Sequence, residues 1–180
     1  MRNFIIEQFY KQRSDFEKSC VEREQKYPLP DGVKCTENIA YAADDKEHRL
    51  DVYRPESMKG KVLPIVINVH GGGLLLGNKE FNRGFCALLC KKGFLVYSME
   101  YRLVPDCKIF DQFRDVFSAM NFVKEHAVED GGDLSHVYMV GDSGGACLIT
   151  YTNAIQNNRK IAQAAGVRPS NLKVNALGLI

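Results

Sequence analysis

The chain has 180 residues, long enough for one domain with a hydrophobic core of its own. With 45% hydrophobic and 26% charged residues it has the balance of a folded globular protein, which argues against a disordered or membrane-embedded chain. The net charge is +2, and the 24 basic residues are interleaved with 22 acidic ones, so no basic block points to nucleic acid or an anionic membrane as partner.

In chain order, the spacing of Ile5, Phe9, Phe16 and Cys20 predicts a helix over 4–26. Charges interrupt every apolar group of this opening, so it reads neither as a signal peptide nor as a membrane span. A cytoplasmic location is the expectation, with Cys20, Cys35, Cys86, Cys90, Cys107 and Cys147 reduced. "YPLPDG" (27–32) ends the helix with two prolines and a turn pair. Two short strands follow, 36–42 and 48–55, with "DDK" (44–46) as a hairpin-like turn. "VLPIVINV" (62–69) is almost continuously apolar, as a strand covered on both faces must be. A helix is predicted over 80–92, a buried strand over 94–101, and a long helix over 111–128 from Phe113, Val116, Phe117, Met120 and Val123. Cys86 and Cys90, four apart on the first of these helices, read as buried apolar side chains, since no second Cys/His pair completes a metal site. "VYMVG" (137–141) is a third buried strand, Ser143 opens a helix reaching about Asn157, and "VNALGLI" (174–180) starts a fourth strand. The alternation implies an α/β domain whose middle is a parallel sheet with right-handed crossovers.

Two glycine motifs carry chemistry. G-D-S-G-G (141–145) fits the nucleophile-elbow pattern, in which a serine sits on a sharp strand-to-helix turn between small residues. The helix start then aims free N–H groups at the charge that develops during acyl transfer. Taken alone, the pentapeptide describes a helix-capping serine equally well. It also surrounds the nucleophile of chymotrypsin-like proteases, but those need an all-β barrel, and the flanks here are strand and helix. His-Gly-Gly-Gly (70–73) ends another buried strand, and contiguous glycines leave backbone N–H groups unobstructed, as an oxyanion hole requires. A dinucleotide cradle would need G-x-G-x-x-G opening a helix, whereas these glycines lead into the apolar wall Leu74–Leu76.

With "LDVYRP" (50–55), "HGGG" (70–73), "YRLVP" (101–105), "RDVFSAMNFV" (114–123) and "GDSGG" (141–145) in this order, residues 36–180 resemble the hormone-sensitive-lipase-like carboxylesterases of the α/β-hydrolase fold. The resemblance implies Ser143 as nucleophile, the N–H groups of Gly72, Gly73 and Gly144 as oxyanion hole, and His70 as a support of the glycine loop. It implies structural roles for Arg102, Asp115 and Asp142. It makes residues 1–35 a cap-like helix and turn, and 36–180 a hydrolase core. "YRLVPDCKIFDQ" departs from the family's usual "YRLAPE" continuation. No cofactor or metal is implied, and the expected partner is a small-molecule ester with a small to medium acyl group.

The fold orders its triad Ser, then Asp or Glu, then His. Residues 144–180 contain no Asp, Glu or His, and His48, His70, His126 and His136 all lie upstream. The chain is therefore expected to be the N-terminal part of a longer hydrolase, its last strands missing. A non-catalytic relic, a binding protein using the same pocket, a homo-oligomer, and one half of a split enzyme completed by a C-terminal fragment all stay open at this point.

Overall fold

A computed structural model describes residues 2–26, 28–42 and 46–180. Six strands, β1 (Val33–Ala40), β2 (Arg49–Pro55), β3 (Leu63–Val69), β4 (Leu95–Met99), β5 (Gly132–Gly141) and β6 (Ala176–Leu179), form one sheet in the order β1-β2-β4-β3-β5-β6. β2 runs antiparallel to both β1 and β4, while β4, β3, β5 and β6 are parallel. The helices are α1 (Arg2–Lys26), α2 (Arg83–Lys91), α3 (Ile109–His126), α4 (Gly144–Asn157) and α5 (Arg159–Ala165).

Both faces of the central strands are covered, which is why their sequences are continuously apolar. On one face Ile65, Ile67 and Val69 of β3 pack with Leu95, Tyr97 and Met99 of β4 and with Val116, Met120 and Leu148 of α3 and α4. On the other, Val66, Val96 and Tyr53 meet Cys86 and Cys90 of α2. These two cysteines are buried hydrophobic side chains, and burial pushes their thiols up to about 12 and about 11. All six cysteines are unpaired.

Several boundaries differ from the sequence-based expectation. The first strand starts at Val33, and the helix expected over 80–92 splits into a 3-10 turn, Lys79–Asn82, followed by α2. Asn78 causes the split by accepting the Phe81 N–H on its side chain, 3.0 Å away. β5 begins five residues early, because Gly132 and Asp133 pair with Leu63 and Pro64 before the register shifts. His48 falls in a 3-10 turn, Lys46–His48, ahead of β2; Asp44 and Asp45 of the expected hairpin turn lie outside the described residues, as does Tyr27. α5 was not expected from apolar periodicity. Its termini are nonetheless marked: the Asn158 side chain caps Lys160 and Ile161, and Gly166 closes the helix in the left-handed region. The apolar stripe of α1 is buried only toward its C-terminal end, where Cys20 is 4% exposed; Ile5 is 49% exposed.

The register places the chemistry. Val69 stands opposite Gly141 on one side and Met99 on the other, so the chain leaves β3 and β5 side by side at the carboxyl ends of the parallel strands. From β3 the chain crosses to β4 and then back over to β5, which puts the reversal of strand order, and hence the crevice, at this end of the sheet.

Candidate active site

After Gly141 the backbone has two residues in which to turn from β5 into α4. Ser143 absorbs the turn at φ 48°, ψ −111°, outside the wells that non-glycine residues favour. The turn is tight enough that a Cβ on Gly145 would collide with the Val69 carbonyl. Neighbouring bonds hold it: the Gly145 N–H donates to Asp142 O (2.8 Å), the Ser143 N–H to Ile180 O (2.9 Å), and the Ile180 N–H to Gly141 O (3.0 Å). Ser143 occupies the capping position of α4, yet its side chain makes no capping hydrogen bond and is exposed. A helix-capping serine, the alternative left open by the pentapeptide, is thereby excluded.

The glycine loop lies against this elbow. Asp142 Oδ1 accepts the Gly71 N–H (2.9 Å) and the Asn82 side-chain amide (2.8 Å), tying the two motifs together. Gly72, Gly73 and Leu74 all have positive φ, at 114°, 62° and 69°. A Cβ on Gly72 would meet the Leu76 carbonyl, so only glycine fits there. The carbonyls of the loop are pinned one by one. His70 O accepts the Tyr101 hydroxyl (2.8 Å), and Gly71 O lies 2.8 Å from His70 Nδ1. Gly72 O accepts the Leu75 and Leu76 N–H groups (3.2 and 3.1 Å), and Leu74 O accepts Val104 N–H and Gln112 Nε2, both at 3.0 Å. In a trans peptide the N–H points opposite to the preceding carbonyl. Binding Gly71 O and Gly72 O on one side therefore turns the Gly72 and Gly73 N–H groups to the other. Among the described residues, the N–H groups of Gly72, Gly73, Leu74 and Gly144 donate to no protein acceptor. The Gly144 Cβ position lies 3.0 Å from both Gly73 N and Leu74 N, so helix start and loop share one small space.

A BD-FAE family model matches residues 50–177, more than half of the chain. The chain belongs to the BD-FAE family. Its similarity to the hormone-sensitive-lipase-like α/β-hydrolase carboxylesterases is borne out by its relatives. It is 31% identical, over 77% of its length, to a probable isoprenylcysteine alpha-carbonyl methylesterase of Arabidopsis thaliana. Esterase B of Lactobacillus rhamnosis superposes with a TM-score of 0.91 at 26% identity over 99% of the chain, and a bacterial heroin esterase with 0.73 at 26% over 95%. The chain spans only 29% of the Arabidopsis protein, 57% of esterase B and 51% of the heroin esterase.

In this BD-FAE chain the histidines are all occupied away from Ser143. His70 is fully buried, stacked on Tyr101 with ring centroids 4.2 Å apart, and its Nε2 lies 2.9 Å from Glu100 Oε1. Both ring nitrogens are thus engaged in holding the loop. His48 Nε2 sits 3.1 Å from Asp115 Oδ1. His126 Nδ1 faces the Phe122 carbonyl at 2.9 Å, and the exposed His136 pairs with Asp133 at 2.7 Å. Asp115 accepts Arg102 Nε (3.0 Å), Nη2 (2.6 Å) and backbone N–H (3.0 Å), a fork that fastens the segment after β4 to α3.

Gln112 and Asn82 were not expected from the sequence: neither belongs to a motif, and each acts through a side-chain amide that only the tertiary fold brings near. Asn82 also contacts Asn68 (3.4 Å), which donates to Ser98 (3.1 Å), so a buried polar chain runs from the elbow under the sheet. It ends near the buried Lys79, whose ammonium lies 3.0 Å from Asp51. Burial pushes the Asp51 carboxyl up, and the Lys79 charge opposes that shift. A cavity of about 340 Å³ lies under α1 outside the glycine loop, lined by Arg13, Lys79, Glu100, Tyr101, Leu103 and Asp106 among others. A larger one, about 850 Å³, opens at the opposite end of the sheet beside Arg54, Lys61 and Gly131, away from Ser143. Among the described residues no three His, Cys, Asp or Glu side chains converge as a metal site needs. No described helix is long and apolar enough to cross a membrane.

Proposed function

We propose that this chain carries the nucleophile and the oxyanion hole of a serine carboxylesterase acting on small to medium acyl esters. The observation that supports this most is a strained, exposed, uncapped Ser143 beside backbone N–H groups with no protein acceptor. Ser143 Oγ bonds to the ester carbonyl carbon as its proton passes to an imidazole base. The carbonyl oxygen, now an anion, is received by the N–H groups of Gly72, Gly73 and Gly144, with that of Leu74 adjacent. The tetrahedral intermediate collapses, the C–O bond to the alcohol breaks, and the alcohol leaves with a proton from the base. Water then cleaves the acyl-enzyme by the same steps in reverse order.

The acid and the base are assigned to polypeptide beyond these 180 residues, in a longer chain or a complementing one. This reading rests on two facts: residues 144–180 hold no Asp, Glu or His, and the chain spans 57% of esterase B. Residues 36–180 are the core and α1 is a cap-like element over the site. The half-buried Leu74–Leu76 supply an apolar surface for the acyl or alcohol group.

A fluorophosphonate probe and p-nitrophenyl acetate test the proposal. A protein that includes the downstream residues is expected to label at Ser143 and to turn over, both lost in Ser143→Ala. The 180-residue chain alone keeps only the oxyanion hole and binding, worth roughly 10³ to 10⁴ over water. A complete protein that neither labels nor hydrolyses would establish the binding-protein reading instead.

A further inference from the structure

From α1, Arg13 hydrogen-bonds the loop that follows the glycines. Its Nε donates to Leu75 O (3.0 Å), its Nη2 to Val104 O (2.8 Å), and its Nη1 contacts Asp106 Oδ2 (2.5 Å). The guanidinium is 15% exposed and reaches three acceptors in two separate segments, a geometry that a planar fork meets and an ammonium does not. The same two segments are joined by the Val104 N–H donated to Leu74 O. Arg13 therefore closes a ring: Leu74 O to Val104, Val104 O to Arg13, and Arg13 to Leu75 O. That ring fixes the Leu74–Leu75 and Leu75–Leu76 peptide planes, whose N–H groups both donate to Gly72 O. Other contacts of α1 lie outside the Leu74–Leu75 segment, with Phe16 packed on Phe81 (5.1 Å between centroids), Arg23 over the same ring, and Tyr10 bonded to Asp106.

We infer that Arg13 is a positioning residue: from α1 it holds the Leu75–Leu76 peptide whose N–H donates to Gly72 O, and so keeps the Gly73 N–H, on the opposite side of the Gly72–Gly73 peptide, directed at the Ser143 side. The inference rests on reading that loop as the oxyanion hole. It makes α1 an adjustable strut on the hole, so that displacing the helix relaxes the loop.

Amide hydrogen exchange reads the ring directly, at the protected Leu75, Leu76 and Val104 amides. Arg13→Gln and Arg13→Lys are expected to speed exchange at these three about tenfold, the scale of a lost charge-assisted hydrogen bond, with β5 and α3 unchanged. Tyr10→Phe, which removes a neighbouring contact of α1 but none to the loop, is expected to leave them within about twofold. Arg13→Lys keeps a cation for Asp106, so it retains the helix anchor if Arg13→Gln unfolds. Unchanged exchange at the three amides in Arg13→Lys would overturn the inference, as would a rise shared equally by loop and core. Fluorophosphonate labelling of the complete protein adds a second arm: Arg13→Lys should lower the limiting rate and leave the concentration dependence alone. If the unsubstituted protein fails to label, the esterase reading falls while the exchange result still decides the role of Arg13.

Discussion

Ser143 sits where glycine would be comfortable. A non-glycine residue at φ 48°, ψ −111° is strained by about 1–3 kcal/mol, and only the surrounding bonds keep it there. Ser143→Gly is therefore expected to raise unfolding stability by about 1 kcal/mol, part of the strain being offset by glycine's larger unfolded-state entropy. Urea unfolding measures this, and the same variant should lose all phosphonate labelling. A stability equal to or below that of the parent would mean that the serine is not strained. At this scale the sequence was half legible. Ser143, Gly72, Gly73 and Gly144 can be picked out from motif spacing, because a tight turn requires glycines at fixed positions and the serine among them is the residue that the geometry does not favour. Gln112 and Asn82 cannot, because a side chain that pins a carbonyl 38 positions away leaves no trace in local pattern.

Among the elements, β3, β4 and β5 were readable because burial on both faces writes a continuous apolar run, and α3 because burial on one face writes a helical period. α5 was not, being seven residues with one buried position, Ala162. α1 shows a different limit. Its apolar stripe predicts a helix correctly but not what holds it, since its anchors are Arg13, Tyr10, Phe16 and Cys20 rather than a continuous face. Asp106 joins two of them, and the Tyr10 hydroxyl first, then the Arg13 guanidinium, hold its carboxyl below the usual range. A lowered folded-state value means that its contribution is present above the ordinary aspartate value of about 3.9 and is lost as pH falls through the lower folded one. Wild type should therefore exceed Asp106→Asn in stability at neutral pH, and the difference should vanish in acid. A gap that persists at low pH would show that the carboxylate charge is not what anchors α1. Added salt should narrow it too, since Asp106 is half exposed.

For the whole molecule, sheet order was the part that no local reading reached. Two motifs about 70 residues apart gain meaning only because β3 and β5 are neighbours in register, with Val69 opposite Gly141. The sheet also has an open side. β6 pairs with β5 alone, and Leu179 and Ile180 are 57% and 68% exposed. Apolar strand edges of this kind template further strands. The 180-residue chain is expected to self-associate as its concentration rises in sedimentation velocity, and Leu179→Lys to shift it toward monomer. A monomer at every concentration would show that this edge is inert.

The pair of bonds between the elbow and Ile180 has a consequence for the order in which the protein is made. Ser143 N–H and Gly141 O are both satisfied by Ile180, 37 positions beyond the serine. During synthesis at about 5–20 residues per second, the turn waits roughly 2–7 s before that partner has even been translated. The sheet from β1 to β5 has time to assemble in that interval, but the serine cannot yet be locked. The turn at Ser143 is thus completed late in the synthesis of each molecule, when Ile180 arrives to join the bonds already made within the turn.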